Sequence, residues 1–138
     1  MKKLLLSAIA IMAVCLANAQ QHKVYCELVG MQKLLSQKVI VSVDFGQEQK
    51  LFSNQTLVDE NGKNISFNSM VDAMNFMGEL GWEFEQAYIV TIGSGASAQN
   101  VYHWLLSRYI SDEEAINAGL KTKTAFKAEV KASQQNQE

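Results

Sequence analysis

Asn68-Ser69-Met70-Val71-Asp72-Ala73-Met74-Asn75-Phe76-Met77-Gly78-Glu79-Leu80-Gly81-Trp82-Glu83-Phe84 is the stretch whose reading decides the fold. It reads as one capped helix over about residues 69–80 that closes on a glycine and turns into an aromatic strand. Ser69 can accept from an orphan N–H of the first turn, and Asp72, three residues on, favours the positive helix end. Met70, Ala73, Met74, Met77 and Leu80 recur on one helical face, which Val71 and Phe76 widen. Gly81 fits the left-handed position that ends such a helix, and Trp82 starts a period of two.

Working outward, the run from Trp82 to Ile92 predicts a long strand. Trp82, Phe84, Tyr88, Val90 and Ile92 fall on one face, with Gln86 the odd member. Glu83, Glu85, Ala87, Ile89 and Thr91 take the other. Residues 93–98 are a glycine- and serine-rich connector, and Asn100 to Ile110 resumes as a strand, so the two runs form a hairpin. Upstream, Leu57-Val58 and Ile65–Phe67 flank Asp59-Glu60-Asn61-Gly62, whose Asn-Gly predicts an accessory hairpin near 57–67. Phe67 and Ala73 are spaced to fix the angle at which the chain enters the helix. Before that, His22–Gly30 and the alternating run Gln37–Phe45 predict two more paired strands, with residues 46–54 as loop. After the last strand, Ser111 and Glu114 repeat the capping pattern and predict a short helix from Asp112, with Gly119 to end it. From Lys121 the chain reads as frayed helix passing into a flexible tail. The expected fold is α+β: a four-stranded, mainly antiparallel sheet packed on one principal helix.

The ends of the chain are addresses and tails. Lys2 and Lys3, the apolar run Leu4–Leu16 and Ala17-Asn18-Ala19 have the form of an export signal, cleaved after Ala19. Acylation at Cys15 is the rival reading. It is disfavoured by Val14 where Gly or Ala is usual, and by Met12 where Leu is usual. The expected organisation is a signal over 1–19, an α+β domain over 20–110, and a short helix with tail over 111–138. An exported, periplasmic or extracellular protein follows, with no transmembrane span in the mature chain.

Removing residues 1–19 leaves 10 basic against 14 acidic residues, a net charge of -4. Such a balance argues against nucleic acid, which needs a basic face to neutralise phosphates. Cys26 is then the one cysteine, so no intramolecular disulfide can form, and its strand position favours a buried small hydrophobe over a reactive thiol.

Few residues offer chemistry. His22 and His103 lack metal-ligand spacing, so no metal and no cofactor is expected. Gly93-Ser94-Gly95 joins two strands and is not a nucleophile elbow, and neither Ser94 nor Ser97 has a partner motif. Asp59-Glu60-Asn61-Gly62 departs from a calcium loop, with its glycine two positions early and no terminal Glu. Glu83 and Glu85 share a strand face, but a domain of this size rarely builds the cleft that a glycosidase pair needs. Asn54 and Asn64 stand in glycosylation sequons, which matter only in a eukaryotic secretory pathway. Gly78, in the last helical turn, suggests close backbone approach to Trp82, with a backbone ligand site as the alternative.

The aromatic pair Tyr102 and Trp104 shares a strand face, with His103 on the other. On an uncovered side the pair would form a flat patch for a protein partner, a saccharide or a second copy; otherwise Trp104 is core.

The run Met74-Asn75-Phe76-Met77-Gly78-Glu79-Leu80-Gly81-Trp82-Glu83 resembles a family of small bacterial domains of unknown function. Its hallmark is apolar-Asn-x-apolar-Gly-x-x-Gly-Trp-Glu, followed by a hairpin that ends in a basic residue, here matched by Leu105–Arg108. Residues 59–62 and 102–106 are similar to short secreted proteins of gut and oral Bacteroidetes. The resemblance covers roughly Tyr25–Tyr109 and implies one helix laid on an antiparallel sheet. It carries no known activity and no catalytic residues.

The expected function is a non-enzymatic binding or self-association module of the cell envelope, with an unidentified protein, a saccharide or a second copy as partner. The first alternative is a small hydrolase or carbohydrate-active protein using His103 or the glutamates. The second is a purely structural envelope component.

Overall fold

A computed structural model describes residues 21–33, 36–51 and 53–135. The expected signal, with Cys15 and Ala19, lies outside the described residues, as do residues 136–138 of the expected tail. Four strands form one sheet: β1 (Gln21–Gln32), β2 (Val39–Asp44), β3 (Glu83–Ile92) and β4 (Gln99–Ser111). Their order is β2-β1-β4-β3, and every pairing is antiparallel. Among the described residues two α-helices, α1 (Met70–Glu79) and α2 (Lys123–Gln135), complete the α+β fold. Among the described residues no helix is long and apolar enough to cross a membrane.

Helix α1 forms where its caps require. Ser69 Oγ accepts from the Asp72 N–H at 3.2 Å, and the Asp72 carboxylate accepts from the Asn68 N–H at 2.8 Å. At the other end the Trp82 N–H donates to the Met77 carbonyl and the Gly81 N–H to that of Gly78. This closure needs the left-handed backbone that Gly81 supplies at φ +83°. Met70, Ala73 and Met77 are buried, whereas Val71 points to solvent. Phe67 packs its ring on Phe76, with centroids 5.6 Å apart.

The core lies between α1 and one face of the sheet. Cys26 and Leu28 of β1, Val39, Val41 and Val43 of β2, and Leu106 of β4 meet α1, Phe67, Leu57 and Trp82. Gly30 lets the helix approach: a Cβ there would lie 2.2 Å from Met70 Sδ. No residue of β3 belongs to this core.

The accessory hairpin forms and does a second task. Its Asp59–Lys63 turn is held by Asp59 Oδ1, which accepts from the Asn61 and Lys63 N–H groups, both at 2.9 Å. Its flanks cover the outer edge of β2. The Leu57 N–H donates to the Val41 carbonyl, the Val43 N–H to that of Gln55, and Val39 and Phe67 exchange both bonds.

Two expectations need correction. No helix starts at Asp112; residues 112–119 are turns closed by three-residue bonds such as Ala118 N–H to Ala115 carbonyl. Arg108 takes Glu114, the acidic residue of the expected cap, at 3.0 Å and contacts the Ala115 and Ile116 carbonyls. The helical reading from Lys121 is α2, which begins at Lys123, where the Thr122 hydroxyl accepts from the Ala125 N–H at 3.3 Å. Gly78 is not a point of close approach either, since a Cβ at that position would meet nothing within 4 Å.

Candidate functional site

Cross-strand register sorts the side chains of β4 between two faces. Tyr102 lies opposite Gly30, Trp104 opposite Leu28 and Leu106 opposite Cys26, so all three face α1. Tyr102 and Trp104 are half-buried against the rim of the core, and Trp104 meets Phe84 edge-on at 5.3 Å. The aromatic pair is therefore on the helix side, shielded by β3 rather than spread as a bare patch.

The opposite face is open: no described element packs over it. His103 lies there, opposite Val29 of β1 and Tyr88 of β3. Its ring stacks on Tyr88 with centroids 4.7 Å apart and planes 8° from parallel. The Tyr88 hydroxyl donates to Glu27 Oε1 at 2.6 Å, and Glu27 Oε2 is 3.3 Å from His103 Nδ1. That last contact is within ion-pair range for a protonated ring, but it is not aligned as a hydrogen bond. The bond to Glu27, together with partial desolvation, raises Tyr88 above the ordinary phenol pKa.

Towards one end of this face lies a second polar group. Lys23 Nζ and Ser107 Oγ both donate to Glu85 Oε1 at 2.5 Å. The Lys23 bond, then that of Ser107, holds the Glu85 carboxyl below its usual range, while the same partner raises Lys23. Lys23 also lies 5.3 Å from the centre of the Tyr25 ring. Towards the other end the face is apolar, with Met31, Val101 and Val90 side by side across three strands.

Glu85 reaches this position through a bulge. The register of β3 against β4 shifts between Phe84 and Gln86, so Phe84, Ala87 and Ile89 face the helix side. Tyr88, Val90 and Ile92 face the open side. The unbroken alternation expected from Trp82 to Ile92 is thus corrected: one extra residue moves Phe84 to the face opposite Tyr88. Glu83 and Glu85 make no catalytic pair, because Glu85 is already held by a cation and a hydroxyl.

The most unusual element is β3 itself. All ten of its residues are exposed, and Phe84, Tyr88, Ile89, Val90 and Ile92 are large and apolar or aromatic. β4 covers one edge of β3, and no described residue hydrogen-bonds to the other. Among the described residues the sheet thus ends differently at its two sides, closed by the accessory hairpin beyond β2 and open beyond β3.

The other candidates fall elsewhere. His22 pairs with Asp112 at 3.1 Å and sits opposite Ile110, far along the sheet from His103. Among the described residues no group of three metal-ligating side chains forms. Cys26 is free and buried in the core, and burial pushes its thiol up to about 12 against the opposing charge of Arg108. Ser97 Oγ donates to the Ser94 carbonyl within the β3–β4 connection. A groove of about 520 Å³ runs beside the accessory hairpin between Val58, Ile65, Phe76 and Leu120, and does not include His103, Glu27 or Tyr88.

Sequence reasoning named His103 but missed Glu27 and Tyr88 as its neighbours, and missed the edge. Strand parity puts each on a face, but only cross-strand register brings Val29, His103 and Tyr88 into one row. Comparison with family models, with curated proteins and with solved structures finds no match to this chain.

Proposed function

We propose that this chain is an exported, non-enzymatic binding module of the cell envelope whose docking element is the free edge of β3. One observation carries the reading: ten consecutive exposed strand residues, mostly apolar in their second half, with an unpaired backbone edge. Such an edge offers a ladder of N–H and C=O groups that another strand can complete, and natural sheets normally guard it. Guards include Pro, inward charge and a covering loop. The chain has no Pro, and the only charged side chains of β3, Glu83 and Glu85, stand at its first three positions. Strand addition gains main-chain hydrogen bonds along the edge, while alternate side chains give specificity. The bacterial small-domain resemblance is compatible with this reading and supplies no activity of its own.

Amide hydrogen exchange on the exported protein tests it, at rising concentration and with added envelope extract from the host. Docking slows exchange at the outward amides of residues 86–92 relative to those of the free chain. Unchanged exchange along β3 under every condition refutes the reading.

A hydrolase would have to be built on His103 beside Glu27 and Tyr88. The trio lies on a flat sheet face, and no hydroxyl or thiol nucleophile is hydrogen-bonded to His103 among the described residues. A nucleophile within hydrogen-bond reach of its base is what that chemistry requires. The trio serves better as a polar, aromatic contact surface beside the edge.

A further inference from the structure

The edge-docking reading leaves the partner open, and the strand itself narrows the choice. We propose that a second copy of this chain docks on β3, antiparallel, β3 against β3, about a two-fold axis at Ile89 or Val90, doubling the four-stranded sheet. The inference rests on the docking reading and adds the identity of the occupant.

The β3 edge is complementary to itself. An axis perpendicular to the sheet reverses strand direction and keeps each face on its own side, so both α1 helices lie on one face. Opposed residues must then point the same way, which requires an axis through a residue rather than between two. With the axis at Val90, Val90 meets its own copy and Tyr88 meets Ile92, both on the open face. With it at Ile89, Ile89 meets its copy on the helix face, and Tyr88 meets Val90. In both registers the pairs nearest the axis on the open face are apolar or aromatic, while Thr91 meets Ile89 in the first and Ala87 in the second, where Gln86 meets Ile92.

Charge agrees with this arrangement. Both ionised side chains of β3 are acidic and lie at its start. The two-fold carries each acidic half away from the other and sets it against the glycine-rich connector after Ile92. A parallel pairing would instead stack Glu83 on Glu83 and Glu85 on Glu85, which like-charge repulsion opposes. The open face extends the same logic: the apolar row Met31–Val101–Val90 runs to the edge, and the axis at Val90 continues it into the second copy.

Light scattering on the protein purified from an exporting host, across a dilution series, supplies the test. The wild type gives twice the chain mass. Ile89→Lys and Val90→Lys change residues that are 59% and 41% exposed, so the fold survives, with far-UV circular dichroism unchanged, and the mass halves. A short bis-maleimide links Ile89→Cys or Val90→Cys to its own copy, while Glu83→Cys and the wild type, with its buried Cys26, stay unlinked. A wild-type monomer overturns the self-pairing and leaves edge docking to be judged by hydrogen exchange. A dimer that ignores both lysines overturns both, and linkage through Glu83→Cys alone overturns the antiparallel register.

Discussion

Arg108→Ala should be among the most damaging single changes in this domain. Arg108 projects from β4 into the core side, only 8% exposed, and reaches the C-terminus of α1. Its Nη1 donates to the Leu80 carbonyl at 2.8 Å, at a helix end whose last turn carries no basic residue of its own. Its guanidinium carbon lies 5.0 Å from the centre of the Trp82 ring. Nη2 contacts Glu114 at 3.0 Å and the Ala115 and Ile116 carbonyls at 3.3 and 3.4 Å. A charge-assisted hydrogen bond of this kind contributes about 1.5–3 kcal/mol, and a cation over an aromatic face about 0.5–2. The long bonds add little, and the Nε–H, which has no partner, subtracts. The expected loss is about 3 kcal/mol, or a fall of about 12 °C in Tm at about 4 °C per kcal/mol for a domain of this size. Urea unfolding followed by tryptophan emission measures it. Arg108→Lys, which keeps the charge and loses the planar fork, should fall between wild type and Ala. Glu114→Gln, at a side chain 41% exposed, should cost under about 1 kcal/mol. If Arg108→Ala costs no more than Glu114→Gln, the guanidinium does not hold the helix end, and the reasoning fails.

The two glycines of the α1 terminus should respond with opposite signs. Gly78→Ala, in a helical turn with open space, should stabilise by up to about 1 kcal/mol, while Gly81→Ala, at φ +83°, should destabilise by about 1–2; equal effects in urea unfolding would refute the closure described. Gly30→Ala should cost about 1–3 kcal/mol by forcing Met70 aside, and in a Met70→Ala background much less, so a double-mutant cycle that comes out additive would deny their contact. Glu85, held low by Lys23 and Ser107, contributes stability that is complete above the usual carboxylate pKa and is lost as pH falls through its depressed value. Glu85→Gln should flatten that part of the acid limb of Tm against pH; an unchanged slope would show that the carboxylate is not held. Cys26, with its thiol raised to about 12, should stay inert to a thiol reagent at neutral pH until the chain unfolds, and prompt reaction of the folded protein would refute its burial.

Most of the fold was legible because its signals are local. The Ser69–Asp72 cap, the Gly81 stop, the Asn61-Gly62 turn and the alternation of Val39, Val41 and Val43 each act within a few residues. The helix expected at Asp112 failed because its competitor is distant: Arg108, which no local pattern connects to that segment, takes Glu114, the acidic residue of the expected cap, at 3.0 Å. The helical reading from Lys121 holds from Lys123, and Thr122 just before it is pinned to Leu57 by a strand-like bridge. Phase along β3 was lost at Glu85, where one bulged residue moves every later side chain to the other face. The candidate site suffered most, because a row such as Val29, His103 and Tyr88 exists only through register.

The contrast between the two sheet edges joins these observations to function. If the exposure of β3 were merely a consequence of a small core, the β2 edge should be as bare. It is instead closed by backbone bonds with Gln55, Leu57 and Phe67, and Leu57 and Phe67 of that hairpin also enter the core. Gly30 under Met70 and Phe67 on Phe76 lie towards that side. The β3 side carries large apolar residues, none of them a member of the core, although Phe84 touches Trp104 at its rim. Substitutions should therefore separate cleanly. Changes at Gly30, Gly81 or Arg108 lower the unfolding free energy, and the state of association follows only as the chain unfolds. Changes at Ile89 or Val90 alter association and leave the unfolding of the free chain within about 0.5 kcal/mol, as expected for exposed positions. A residue of the second group that unfolds the free chain would place β3 in the core and remove the reason to look for a partner there.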